Sequence, residues 1–191
     1  VKEHHLIDNT MVVSDGSSDD TARLAREVGA EVVELEENQG KGAAMQAGID
    51  KTSADIILFL DADLLGLRPN HIDDLLLPVI NDEVETTIGI FTEGRVATDL
   101  AQKITPFLSG QRAVKRSILE DISNLNMTRY GVEVALTQYI NNNDINIKKI
   151  ELEDLSHMMK EEKLGVIKGF KERIKMYWEI IKNLPKKTKT K

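Results

Sequence analysis

The chain has 191 residues, 41% of them hydrophobic, which suffices for one sizeable core in a single domain with room for a helical appendage. A formal net charge of -7 and a pI near 5.2 exclude an overall basic surface, so no nucleic-acid partner is expected and a phosphate-bearing ligand needs a local site or a metal. The absence of cysteine removes disulfides and Cys-ligated zinc; no apolar run nears the ~18 residues of a membrane helix, "VKEHHLIDNT" lacks a signal-peptide core, and the expected location is cytoplasmic.

In chain order, "TMVV" reads as a short strand, "DDTARLAREVG" as a helix opened by acidic residues and closed by Gly29, and "AEVVEL" as a second strand. "GKGAAMQAGIDKT" reads as a helix and "DIILFL" as a strand apolar on both faces, the mark of a central parallel strand covered by helices on both sides. "RPNHIDDLLLPVI" opens a helix with Pro69 in its first turn, and "TTIGIF" is a further strand. This alternation predicts an α/β fold with a mostly parallel, Rossmann-like sheet and helices on both faces. Beyond Phe91 the pattern turns helical, in "ATDLAQKITPFL", "RAVKRSIL" and "GVEVALTQYINN", with one more strand at "INIKKIEL". Residues 1–91, 92–160 and 161–191 are expected to form an α/β half, a second half of the same domain, and a C-terminal amphipathic helix with a lysine-rich tail.

Three loops fall at one predicted edge of that sheet, the carboxyl ends of the strands, where open α/β sheets bind ligands. In "FLDADL", Asp61 and Asp63 point to the same side if extended geometry continues, and two convergent carboxylates attract a hard divalent cation that also takes substrate phosphates. An Asp-x-Asp pair is equally a polar turn at a strand end, so the pair gains weight only from its neighbours. In "VVSDGSSDDT", Asp15 and Gly16 make a tight turn and Ser17, Ser18 or Asp19 can cap the next helix. In "NQGKGAAMQAGI", Gly40 and Gly42 flank Lys41 at a helix start, where amides and an ammonium suit a phosphate or polar ligand edge, although the spacing is not that of a P-loop. His4, His5 and His71 read as surface residues.

The order Asp-Gly-Ser, Asn-x-Gly-Lys-Gly, Asp-x-Asp resembles the nucleotide-binding half of GT-A-fold glycosyltransferases, the large family typified by dolichyl-phosphate mannosyl synthases. Farther on, "TPFLSGQRAVKRSIL", "YGVEVAL" and the histidine in "LSHMMKEEKLG" look like glucosyl-3-phosphoglycerate synthases and their bacterial and archaeal relatives. This resemblance implies a hexosyltransferase using a nucleotide-sugar donor and a small phosphorylated acceptor. Asp15, with Gly16, is then expected at the base, usually uracil; Lys41 and Gly42 line the same pocket, and Asp61 with Ala62 lies by the ribose and sugar. Asp63 and His157 would hold the magnesium or manganese ion that bridges the diphosphate, acting as a Lewis acid on the leaving group.

The segment Ser109, Gly110, Gln111 and Arg112 matches the family's acceptor loop, with Tyr130, Gly131 and Glu133 beside it. A guanidinium fork at Arg112 suits a phosphate or carboxylate, and Glu133 suits a general base or an orienter of sugar hydroxyls; Lys115 and Arg116 read as a solvated helix face. The C-terminal helix, with Val166, Phe170, Ile174, Tyr177 and Trp178 at helical steps, suits packing on the core or in a homodimer first and an anionic membrane surface second. Family members place a strand and an Asn-Glu loop ahead of the first Asp-Gly-Ser, whereas only Val1 to Asn9 precede "TMVV" and Ser14 stands where many relatives carry an aspartate. Either the chain is incomplete at that end, or part of its donor site is missing; a degenerate sugar-nucleotide-binding protein is the corresponding non-enzymatic alternative.

Overall fold

The computed structural model describes residues 1–91, 109–122, 136, 139–140 and 142–157. The chain divides into a compact unit from Val1 to Ser156 and a second from His157 to Lys191. The expected helices over 97–108 and 161–191, and most of that over 131–142, lie outside the described residues, as do Tyr130, Gly131 and Glu133. Among the described residues no helix is long and apolar enough to cross a membrane.

The first unit opens with β1 (Met11–Asp15), α1 (Thr21–Glu27) and β2 (Glu31–Leu35), a right-sized β-α-β unit in which β1 and β2 pair in parallel with Val12 opposite Val32. Helix α1 has Asp20 at its N-cap without a side-chain capping bond, and just ahead of it the Asp19 carboxylate accepts the Thr21 amide at 3.0 Å in an Asx turn. Helix α2 (Lys41–Lys51) follows, then β3 (Ile56–Phe59), a short β4 (Leu64–Leu65), α3 (Pro69–Ile80) and β5 (Thr86–Phe91). After residue 108 come β6 (Arg112–Lys115), α4 (Arg116–Asp121), β7 (Ile147–Leu152) and β8 (Ser156–His157). The fold class is thus mixed α/β, as the alternation predicts.

The sheet pairing corrects one expectation. The main four-stranded sheet runs β3-β6-β5-β7; β5 and β7 are parallel, but β3 pairs antiparallel with β6, Phe59 opposite Arg112 and Ile57 opposite Val114. "RAVKRSIL" is therefore a strand turning directly into a short helix, not one helix. Its charged ends hide the strand: Ala113 and Val114 are fully buried, while Arg116 folds back to donate to the Ala54 and Thr52 carbonyls and Lys115 pairs with Asp82 at 2.7 Å. Neither basic residue forms the expected solvated helix face.

Strand β3 is nonetheless covered on both sides, which is what its uninterrupted apolar sequence requires. Ile56 and Leu58 pack with Ile72, Leu76 and Val79 of α3, whereas Ile57 and Phe59 pack with Ile49 of α2 and with Val114, Ile118 and Leu119. A third cluster joins Leu75 to Ile150, Leu152 and Leu155. The two buried hydroxyls of β5 are satisfied: Thr86 Oγ1 donates to the Ala113 carbonyl at 2.8 Å and Thr87 Oγ1 to the Leu75 carbonyl at 2.7 Å. His71, expected at the surface, is 2% exposed and accepts the Arg68 amide at Nδ1, closing the N-terminus of α3.

Candidate active site

The loops after β1, β2 and β3 meet, and the turn before β6 closes on them. Asp15 ends β1, and its two carboxylate oxygens accept the Gln39 and Gly40 amides, each at 2.8 Å. Asn38 Nδ2 donates to the Asp15 carbonyl at 3.3 Å. Gly16 has φ +65°, and a Cβ there would lie 2.4 Å from the Asn38 nitrogen, so both the turn and the close approach of the β2–α2 loop demand glycine. The Asp15–Gly16 turn and "NQGKG" are thus one structure: the aspartate holds the amides that lead into α2.

Gly40 caps α2, putting Lys41 and Gly42 in its first turn. Lys41 Nζ reaches across to Asp61 Oδ1 at 2.6 Å. The other oxygen, Oδ2, accepts Gln111 Nε2 at 2.9 Å. Asp61 is therefore fixed at both oxygens by residues from two different loops. A half-exposed ammonium contributes little to stability, on the order of 0–1 kcal/mol, so its role here is to set the carboxylate's position and charge.

Residues 109–112, expected at an acceptor, lie against this pair. A Cβ on Gly110 would come within 2.6 and 2.7 Å of the Asp61 oxygens and 2.7 Å of Lys41 Nζ, so only glycine lets the backbone approach that closely. Ser109 Oγ donates to the Gly89 carbonyl at 2.5 Å and lies 3.1 Å from Gln111 Oε1. Gln111 and Arg112 are both fully buried, and Arg112 Nη2 donates to the Ser109 carbonyl at 2.9 Å. The guanidinium is turned toward the loop's own backbone, where it braces the Ser109–Gln111 turn. Sequence reasoning placed Gln111 at an acceptor; the structure turns its amide to Asp61, a link that no local spacing encodes because the two residues are 50 positions apart.

Strand β3 stops at Phe59 and the chain turns at Ala62 and Asp63 before β4. Extended geometry does not continue through "DAD", so the two aspartates are not alternate residues of one strand: Asp61 faces Lys41 and Gln111, and Asp63 follows on the turn. Ala62 is exposed and Asp63 partly buried. Downstream, Arg68 pairs with Asp154 at 2.8 Å, Leu155 is fully buried beside Leu64 and Leu67, and β8 pairs with β4. His157 is the second residue of β8, and its side chain lies outside the described residues. A carboxylate such as that of Asp63 is an oxygen donor of the kind that suits magnesium or manganese.

The chain is similar in sequence and in fold to known glycosyltransferases. A glucosyl-3-phosphoglycerate synthase from Mycobacterium tuberculosis (strain CDC 1551 / Oshkosh) is 29% identical over 166 residues, covering 69% of this chain and 51% of that protein, so the chain spans about half the length of the curated relatives it matches. A crystal structure of the M. tuberculosis glucosyl-3-phosphoglycerate synthase with Mn2+, UDP-glucose and phosphoglyceric acid superposes with a TM-score of 0.68 at 26% identity, covering 95% of this chain and 71% of that one. The same enzyme with Mg2+ and UDP gives 0.68 at 25% identity over the same shares. Residues 2–132 match the family model described as glycosyl transferase family 2, a stretch that takes in every loop of the site, and the chain belongs to that family.

Proposed function

We propose that the chain is a metal-dependent glycosyltransferase that moves a hexosyl group from a UDP-glucose-like nucleotide sugar to a small phosphorylated acceptor such as 3-phosphoglycerate. The observation that carries this reading is the continuous chain of contacts from Asp15 through Gly40 and Lys41 to Asp61 and on to Gln111 and Gly110, which joins the donor-side loops to the acceptor-side loop. Relatives crystallised with UDP-glucose, Mn2+ and phosphoglyceric acid supply the ligand classes.

Each residue has a role its geometry permits. Asp15 holds the β2–α2 loop and keeps further lone pairs on its carboxylate for a base N–H. Lys41, half exposed beside Asp61, lines the donor pocket with Gly42 and meets the donor's negative charge. Asp61, oriented by an ammonium and an amide, accepts hydrogen bonds from ribose or sugar hydroxyls. Gly110 presents backbone next to it, and Ser109, Gln111 and Arg112 keep that backbone in place. Asp63 and His157 are the ligands of the divalent cation, with Tyr130, Gly131 and Glu133 assigned to the acceptor side. A divalent cation held there would neutralise charge on the departing nucleoside diphosphate.

Calorimetric titration with UDP and UDP-glucose, with and without Mn2+, tests the reading. Saturable binding that requires the metal and is lost in Asp63→Ala supports it; metal-independent binding unaffected by that substitution overturns it in favour of a non-catalytic sugar-nucleotide-binding protein. Product analysis with 3-phosphoglycerate and with a polyprenyl phosphate then fixes the acceptor, and glycosylation of the lipid alone would replace the soluble acceptor by a membrane-borne one.

A further inference from the structure

Away from that site, three side chains converge on the N-terminal end of α3. His4 and His5 precede β1, and Asp73 lies in the second turn of α3; one ligand atom from each falls within 4.8 Å of the others. Among the described residues no other group of histidines and carboxylates comes together in this way. The sequence suggests surface histidines here, yet the His4 side chain is only 5% exposed.

We propose that His4, His5 and Asp73 form a second metal site, for a zinc-like divalent ion that prefers imidazole nitrogen. Its geometry is close to that of a ligated site. Bonds of ~2.0–2.1 Å in a tetrahedral zinc centre put ligand atoms roughly 3.3 Å apart, and His4 Nε2 already stands 3.4 Å from Asp73 Oδ1. The His4 and His5 rings are stacked with centroids 4.8 Å apart, so a small rotation of the exposed His5 brings its nitrogen into range. The Pro69 carbonyl, 3.2 Å from His4 Nε2, offers a fourth oxygen.

A second observation points the same way. The Asp73 side chain is partly exposed, but its Oδ1 is shielded from water and has nothing better than the 3.4 Å contact with His4 Nε2, and a carboxylate oxygen so poorly satisfied suits a cation. The competing account is a plain contact in which His4 Nε2–H is shared between Asp73 and Pro69 while the Leu6 amide donates to Nδ1 at 3.3 Å. Metal binding at Nε2 shifts the ring proton to Nδ1 and releases only that one long bond. In the competing account His5 is superfluous; in the proposed site it is a ligand, and that difference decides between them.

The test is calorimetric titration of the full chain with Zn2+, comparing the wild type with His5→Ala, Asp73→Ala and Asp63→Ala. His5 is exposed and its one recorded contact is the ring of His4, so its loss leaves the fold intact. One equivalent of Zn2+, besides any taken up by the Asp63–His157 pair, is expected to bind the wild type and to persist in Asp63→Ala, and to bind His5→Ala and Asp73→Ala weaker by at least the roughly tenfold to hundredfold that even an outer-shell partner commands. Equal affinity in His5→Ala, loss confined to Asp63→Ala, or no saturable binding overturns the proposal. Because Asp63 is retained in His5→Ala, a failure here leaves the transferase reading standing, and the reverse also holds.

Discussion

The most informative single residue is Gln111, because its neutral amide supplies a hydrogen bond to one of the two Asp61 oxygens. Its Nε2 donates to Asp61 Oδ2, and its burial is complete. Gln111→Glu keeps the shape and replaces the donor by an acceptor, putting two carboxylates at hydrogen-bond distance; like charges so close raise the pKa of one of them. The variant should bind UDP-glucose about tenfold or more weakly at neutral pH, a loss of roughly 1.4 kcal/mol, and regain affinity on acidification, when the new carboxyl donates an O–H to Asp61 as the amide did. The sign for stability is the same: a carboxyl whose folded pKa is raised destabilises the fold above that pKa and ceases to do so below it, so the variant's melting temperature should rise relative to wild type as pH falls. A pH-independent defect would show that Gln111 only fills space. The sequence grouped Asp15, Lys41 and Asp61 at one edge of the sheet, and the structure brings them into one run of contacts with Gly110, since turn glycines and charged residues at strand ends carry a local signal. It could not show that Lys41 and Gln111 share Asp61, because that pairing depends on which strands become neighbours.

Elements were legible in proportion to how local their causes are. Helix α3 was read nearly to the residue, from Pro69 at its start and an apolar stripe over Ile72, Leu75, Leu76 and Val79, all of them buried. Strand β5 matched "TTIGIF" throughout. Strand β6 was missed: four residues flanked by arginine and lysine look helical until β3 and β5 are known to sit on either side of them, and the antiparallel β3–β6 pairing is a tertiary fact. The α3–β7 contact carries a large part of the core of this unit. Leu75 is fully buried against Ile150, Leu152 and Leu155, so Leu75→Ala removes apolar contacts that nothing nearby can refill. Unfolding in urea should show a loss of about 2–5 kcal/mol with little change in the slope, and a loss below 1 kcal/mol would mean that this interface is not closely packed.

On the scale of the molecule, composition and charge excluded more than they identified. An acidic chain has no general affinity for phosphates, so an anion site has to be assembled locally, and the proposed one lies where the loops after β1, β2 and β3 meet. The resulting claim is a linkage between ligand, metal and fold. A nucleotide present at a hundred times its dissociation constant stabilises the folded state by about 2.7 kcal/mol, which for a chain of this size raises the melting temperature by roughly 5–11 °C. UDP with Mn2+ should produce a shift of that order, whereas UDP alone should produce a much smaller one, because without the cation the diphosphate meets the carboxylates of Asp61 and Asp63 with Lys41 alone to offset them. In Asp63→Ala the metal-dependent increment should vanish while the small metal-free shift persists, since the Asp15 and Lys41 loops are untouched. If Mn2+ added the same increment to wild type and Asp63→Ala, the cation would be binding elsewhere and the turn after β3 would lose its place in the mechanism.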